Sequence, residues 1–216
     1  MIEYEQVLHR LMGLMDSVSA CSYTVYRSCS VQHANSSDLL TGEGSRKGGG
    51  RWNPKGIRAV YGSLTPETGM AETLRNFRYY GLDISKAMPR VFVAVRVSLE
   101  NLLDLTRGAV RQKLGISMRT MQDEDWRMIQ RRGESLTQNI GRAAFALALE
   151  GLLVPSAVDS TGEECRLVSR QFGSPEPNRN LRRGQTAHLN HPARFQEEVL
   201  EPLSCRCDTT YGEVRR

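Results

Sequence analysis

Apolar and polar positions alternate most clearly over residues 90–99, where Val91, Val93, Val95, Val97 and Leu99 occupy one face and Ala94 and Arg96 the other. That period of two predicts a strand. The β-branched and aromatic run SYTVYR at 22–27 predicts another, ending on Arg27. Residues 57–63 form a third short apolar run with Val60 and Tyr61 near its end. A helix follows, with Thr65 as N-cap, Pro66 at the first helical position and Glu67 in the first turn. Met70, Leu74 and Phe77 share one face of it; Glu72, Arg75 and Tyr79 share the opposite face.

Elsewhere, Val7, Leu11, Leu14 and Val18 recur at helical spacing and predict an amphipathic helix over 2–19, weakened at Gly13. Residues 101–106 read as a short strand or turn, 108–114 as a short helix, and 126–129 as a polar helical piece. Residues 134–150 carry a buried stripe of Ile140, Ala144 and Leu147, with Gly151 placed to cap the helix. Then comes LLVPSA at 152–157, a buried strand broken by Pro155 with Ser156 exposed at the break. Weaker strand signals lie at 165–172, 185–189 and 195–210, around a proline- and arginine-rich insert at 173–183. Strands and helices do not alternate as in a parallel array. The pattern therefore predicts one α+β domain at 21–210, with mainly antiparallel sheet, flanking helices and a helical extension at 1–20.

Composition changes this picture at one place. The chain carries +5 and a pI near 9.1. Between residues 27 and 58, six basic side chains (Arg27, Arg46, Lys47, Arg51, Lys55, Arg58) face two acidic ones, Asp38 and Glu43. Five glycines (42, 44, 48, 49, 50) accompany them, followed by Trp52 and an Asn53-Pro54 turn. Glycines let backbone approach a ligand closely, and arginines offer planar charged forks to phosphate oxygens. This long loop reads either as an anion site or as a mobile surface segment. Read from the residues alone, Arg27 is either a rim salt bridge or a ligand anchor, and Glu72 is an ordinary solvated acid.

Several function classes fall away. No apolar run approaches the roughly 18 residues of a membrane span. The N-terminus lacks the basic and apolar blocks of a signal peptide, which predicts a cytoplasmic protein. Five cysteines at irregular spacing do not make a disulfide framework; Cys205 and Cys207, preceded by His188 and His191, read as reduced thiols rather than a metal site. The basic balance favours a nucleotide, a nucleic acid or an acidic protein as partner and does not decide between them. Aromatics are 6% and do not interleave with the basic residues as in a single-strand stacking surface, and direct DNA binding is not expected. P-loop, GxGxxG, HExxH and GxSxG patterns are absent.

Tyr26-Arg27, GGGRWNPKG at 48–56, VYGS at 60–63, Ala71-Glu72 and GRAAFALALEGLLVPSA at 141–157 together resemble the RES-domain family, toxin components of bacterial RES–Xre toxin–antitoxin pairs. The resemblance spans about residues 22–157. After Ser160 the family's asparagine-leucine and aliphatic strand give way to TGEECRLVSRQFGSPEPNRNLRRG, with Asn178 and Asn180 the candidates for the family's asparagine.

The resemblance implies an ADP-ribosyltransferase-like fold that breaks NAD+ at its nicotinamide–ribose bond. It places Arg27, Arg51, Tyr61, Glu72 and Ser156 at the NAD+ site, with Arg46 as a further candidate. Glu72 would stabilise the oxocarbenium-like transition state of glycosidic cleavage. Arg27 and Arg51 would hold the diphosphate, or one of them free phosphate; Tyr61 would stack on nicotinamide, and Ser156 would orient nicotinamide or ribose. NAD+ is the substrate, no metal is expected, and the implied partner is an Xre-type helix-turn-helix antitoxin. The acceptor is water, phosphate or a protein side chain. A protein ADP-ribosyltransferase and a catalytically inert nucleotide- or partner-binding module are the competing readings.

Overall fold

The structure is a computed structural model that describes residues 3–33, 39–158, 165–169 and 195–196. The predicted strand at 185–189, the insert at 173–183, Asn178, Asn180 and the histidines and cysteines at 188, 191, 205 and 207 lie outside the described residues.

Two long strands, β1 (Val18–Ser30) and β3 (Arg90–Asp104), form an antiparallel ribbon in which Arg27 faces Val93 and Tyr26 faces Ala94. Both outrun their predicted lengths. The strand continues through Asn101–Asp104, where the alternation breaks at the consecutive buried Leu102 and Leu103, so the expected separate strand or turn is the end of β3. Tyr26 also pairs with Ser63 of β2 (Val60–Ser63). From β2 the pairing passes antiparallel to β5 (Cys165–Ser169), antiparallel to β4 (Gly151–Pro155), then parallel to β3. Because β3 returns to β1, the pairings close on themselves, and β6 (Phe195–Gln196) adds an antiparallel edge to β3. The α+β class with mainly antiparallel pairing is the observed one.

The helices lie in two groups. α1 (Tyr4–Met12) stops at Gly13, a 3-10 turn at Met15–Ser17 follows, and the β-rich sequence from Val18 starts β1. The predicted helix at 2–19 is therefore shorter, although Leu14 beyond its end is still buried. α1 packs Val7 and Leu11 into a core with Leu103, Ile140 and Val154. A second apolar cluster joins Val25, Val95, Val97, Leu99 and Leu153. The glycine-rich loop also differs from expectation: Glu43–Gly48 form a short helix, α2. Its Ser45 hydroxyl accepts from the Ala59 amide (2.9 Å) and donates to the Ala59 carbonyl (2.6 Å), a tether that fixes backbone two glycines would otherwise loosen.

α3 (Pro66–Tyr79) starts as its sequence dictates, with the Thr65 side chain accepting from the Thr68 amide. Three short helices follow β3: α4 (Gly108–Leu114), α5 (Met118–Asp123) and α6 (Trp126–Ile129). α7 (Leu136–Ala146) opens on a Ser135/Gln138 capping box and stops at a left-handed Ala148, with φ 58°. Gly151 is thus the first residue of β4 and not the helix cap. Among the described residues no helix is long and apolar enough to cross a membrane.

One close approach locks α7 to the basic turn. A Cβ at Gly141 would sit 1.7 Å from the Trp52 carbonyl oxygen. Alanine is the better helix former by about 1 kcal/mol, but this clash is with backbone and outweighs that gain. We expect Gly141→Ala to lower unfolding free energy by about 3 kcal/mol in urea titration; wild-type stability would contradict the contact.

Candidate active site

α3 carries Glu72 on its polar face, and the fold turns that face inward. The end of β4 lies opposite: Pro155 closes the strand, and Ser156 donates its hydroxyl to Glu72 Oε1 at 2.9 Å. The Ala157 amide adds a second bond to the same oxygen at 3.3 Å. Glu72 is half-buried rather than solvated. Ser156, expected to be exposed at the strand break, is 0% exposed. Its hydroxyl also accepts from the Val158 amide at 3.3 Å. Hydrogen bonds to both sides of this hydroxyl leave it holding the carboxylate instead of reaching a ligand.

Arg27 projects from β1 and donates to the Tyr61 carbonyl, which ties the ribbon to β2. The Tyr61 hydroxyl donates to Asn53 Oδ1 at 2.6 Å and accepts from the Trp52 amide at 3.0 Å. Asn53 is fully buried, and its Nδ2 reaches the carbonyls of Ser45, Pro54 and Ile57 at 3.0, 3.2 and 2.8 Å. On the other side, buried Gln138 donates to the Gly50 carbonyl (3.0 Å) and to Gln130 (2.6 Å). Gln130 in turn donates to the Gly48 carbonyl (3.1 Å). The GGGRWN segment is therefore a rigid turn. Gly50 is required there, since a Cβ would meet the Tyr61 hydroxyl at 2.5 Å.

This turn aims Arg51 inward, where it donates to the Met121 carbonyl at 2.6 Å. Burial, with Arg75 adding repulsion, pushes its pKa down to about 10, so it remains cationic at neutral pH. Arg46 goes elsewhere. It forms a forked pair with Glu43 (2.9 and 2.6 Å), and its hydrogen bonds hold the Glu43 carboxyl at about 2. Arg46 does not line the cleft described next.

The cleft has two lobes, of about 350 and 250 Å³, that share Tyr61, Glu72 and Asn76. The larger contains Arg51, Arg75 and Arg127 beside Tyr80 and Trp126. The smaller contains Arg27 and Arg90 beside Tyr26 and Phe77. Arg90 is anchored on the Ser28 carbonyl at 2.9 Å, and burial lowers its pKa. Five guanidinium groups thus surround Glu72, the one carboxylate among the described lining residues. That arrangement suits a doubly charged anion with a reacting centre held at Glu72.

The structure brings together Arg27, Arg51, Tyr61, Glu72 and Ser156, and leaves Arg46 aside. Sequence reasoning did not single out Asn53, Arg75, Asn76, Arg90, Trp126 or Arg127. Arg75 sits three residues from Glu72 on the same polar face, which was the available signal; the others depend on tertiary contacts. Asn53→Ala should lower unfolding free energy by about 2–3 kcal/mol, because it strands three carbonyls and the Tyr61 hydroxyl. Arg46→Ala, which removes a solvent-exposed pair, should not measurably change the urea midpoint. Equal loss in both variants would contradict this division.

Comparison with known proteins identifies the family. The RES domain family model matches residues 24–189. Curated relatives named NAD(+) phosphorylase MbcT, from Mycobacterium bovis and Mycobacterium tuberculosis, are 31% identical over 123 residues. That match covers 56% of this chain, and the chain spans 62% of the length of those relatives. Among solved structures, the crystal structure of the M. tuberculosis MbcT–MbcA toxin–antitoxin complex superposes with a TM-score of 0.58 at 26% identity. It covers 77% of this chain and 82% of that one. The chain belongs to the RES domain family.

Proposed function

We propose that this chain cleaves NAD+ at its nicotinamide–ribose bond and acts as the toxin of a toxin–antitoxin pair. The observation that carries this reading is Glu72, oriented by Ser156 and set between two guanidinium-lined lobes. The C1′–N bond breaks with its electron pair passing to the pyridinium ring, so nicotinamide departs neutral and needs no strong general acid. Positive charge develops on the ribose, and a fixed carboxylate stabilises it. Arg51 and Arg75 neutralise the diphosphate, while Tyr61 stacks against nicotinamide. An oxygen of inorganic phosphate then bonds to C1′, giving ADP-ribose phosphate; water in its place gives ADP-ribose and a proton. The guanidinium groups beyond those engaging the diphosphate favour phosphate as the acceptor.

Similarity to a phosphorylase and to one member of a solved toxin–antitoxin complex supports the reading. The neutralising partner is an Xre-type helix-turn-helix protein, and the compartment is the cytoplasm, where NAD+ is abundant.

The test is NAD+ loss by purified protein, with and without phosphate. Wild type should consume NAD+ faster with phosphate present, and Glu72→Ala should lose about a thousandfold in rate. Ser156→Ala, which frees the carboxylate without removing it, should lose roughly a hundredfold in kcat with KM little changed. NAD+ loss independent of phosphate would replace the phosphorylase assignment with a hydrolase. Transfer of label to protein would make it an ADP-ribosyltransferase. Binding without loss would overturn the enzyme reading.

A further inference from the structure

Along α3, the residues that reach the larger lobe follow a chemical order. Glu72 comes first, then Arg75 and Asn76 one turn on, then Tyr80 at the helix end. At about 1.5 Å per residue, the step from Glu72 to Tyr80 is about 12 Å along the helix axis. Acid, cation and aromatic ring thus repeat the order of ribose, diphosphate and base in the adenylyl direction of a dinucleotide.

The outer end of this row is a built cluster. Arg127 of α6 holds its guanidinium carbon 4.4 Å from the Trp126 ring, 4.5 Å from the Tyr79 ring and 5.6 Å from the Tyr80 ring. The Tyr79 and Tyr80 rings meet edge to face at 5.2 Å between centroids. Arg127 also donates to Asn76 Oδ1 at 2.5 Å, and its buried Nε has no hydrogen-bond partner among the described residues. Cation–π contacts therefore fix Trp126, which is half-buried and lines the cleft. A surface aromatic locked in place by a cation, facing a cavity, has already lost the freedom that ligand stacking would otherwise cost.

We propose that Tyr80, Trp126 and Arg127 form the platform that receives the purine base of the dinucleotide. This rests on the NAD+ reading above and adds which end of the substrate enters which lobe. The order along α3 sets the direction: Arg51 and Arg75 engage the diphosphate, and beyond them neutral adenine stacks on the indole and guanidinium faces of Trp126 and Arg127 alike. Nicotinamide then occupies the smaller lobe beside Tyr61, and C1′ lies at Glu72, which both lobes share.

The test uses AMP, which has the base but no nicotinamide–ribose bond to cleave. Trp52 is 3% exposed and gives a constant background, so AMP titration should quench indole emission through Trp126. Calorimetric AMP titration, which needs no indole probe, should show binding weakened roughly tenfold in Trp126→Leu and in Tyr80→Ser, the latter at a position 62% exposed and so safe for folding. In turnover, Trp126→Leu should raise the KM for NAD+ by roughly tenfold to a hundredfold and leave nicotinamide mononucleotide cleavage unchanged. No AMP quenching in wild type, unchanged AMP binding in both variants, or equal loss for both substrates would overturn the platform. Glu72→Ala separates the two claims: it should stop turnover and keep AMP quenching. Quenching without any wild-type turnover would overturn the NAD+ reading and retain a purine site.

Discussion

The hydrogen bond from Ser156 to Glu72 joins two distant parts of the chain, and bonds from the Ala157 amide to the same carboxylate and from Arg75 to the Ala157 carbonyl reinforce it. It links the polar face of α3 to the end of β4, and so sets where Glu72, the one carboxylate among the described lining residues, points. A glutamate on that face would otherwise sample several rotamers in water. Here the hydroxyl is itself held by the Val158 amide, and the serine is wholly buried. The acid is fixed before any ligand arrives, which is the condition under which a charge is worth most in catalysis.

The rest of the site supplies the opposite charge at rigid positions. Arg27 and Arg90 stand on the paired strands β1 and β3, Arg51 on a turn clamped by Asn53 and Gln138, and Arg75 and Arg127 on helices. Five cations near one anion repel each other; the pKa of Arg51 is depressed first by burial and then by the repulsion of Arg75. An anionic ligand relieves it, so the cleft is electrostatically strained without substrate and complementary with it. The same inference explains why so many polar groups are spent on holding the GGGRWN turn. A loop that merely wandered could not keep Arg51 half-buried against the Met121 carbonyl.

Much of this was legible in the sequence, for identifiable reasons. Strict alternation in 90–99 and the Thr65-Pro66 start gave β3 and α3, because both signals are local. The Arg27, Arg51, Tyr61, Glu72 and Ser156 set came from a motif resemblance that the structure gathers around one cleft. Ser156 itself was misplaced to the surface: a serine after proline carries no local sign of burial, and its partner is 84 residues away. The α2 helix was hidden because its glycines disfavour helix and its tether to Ala59 is tertiary. Arg46 could have been set aside earlier, since Glu43 stands at i−3 and pairs with it. The Trp126–Arg127 cluster was unreadable because its partners, Tyr79 and Tyr80, lie on another helix.

The central claim is that the charge on a pre-oriented Glu72 drives cleavage of NAD+. Glu72→Gln tests it most directly, because the amide oxygen still accepts from Ser156 while the charge is gone. Binding of NAD+ and release of nicotinamide would be measured on the same protein. The account predicts that binding persists within a few-fold while release falls by about a thousandfold. Release at near wild-type rate from the glutamine variant would contradict it.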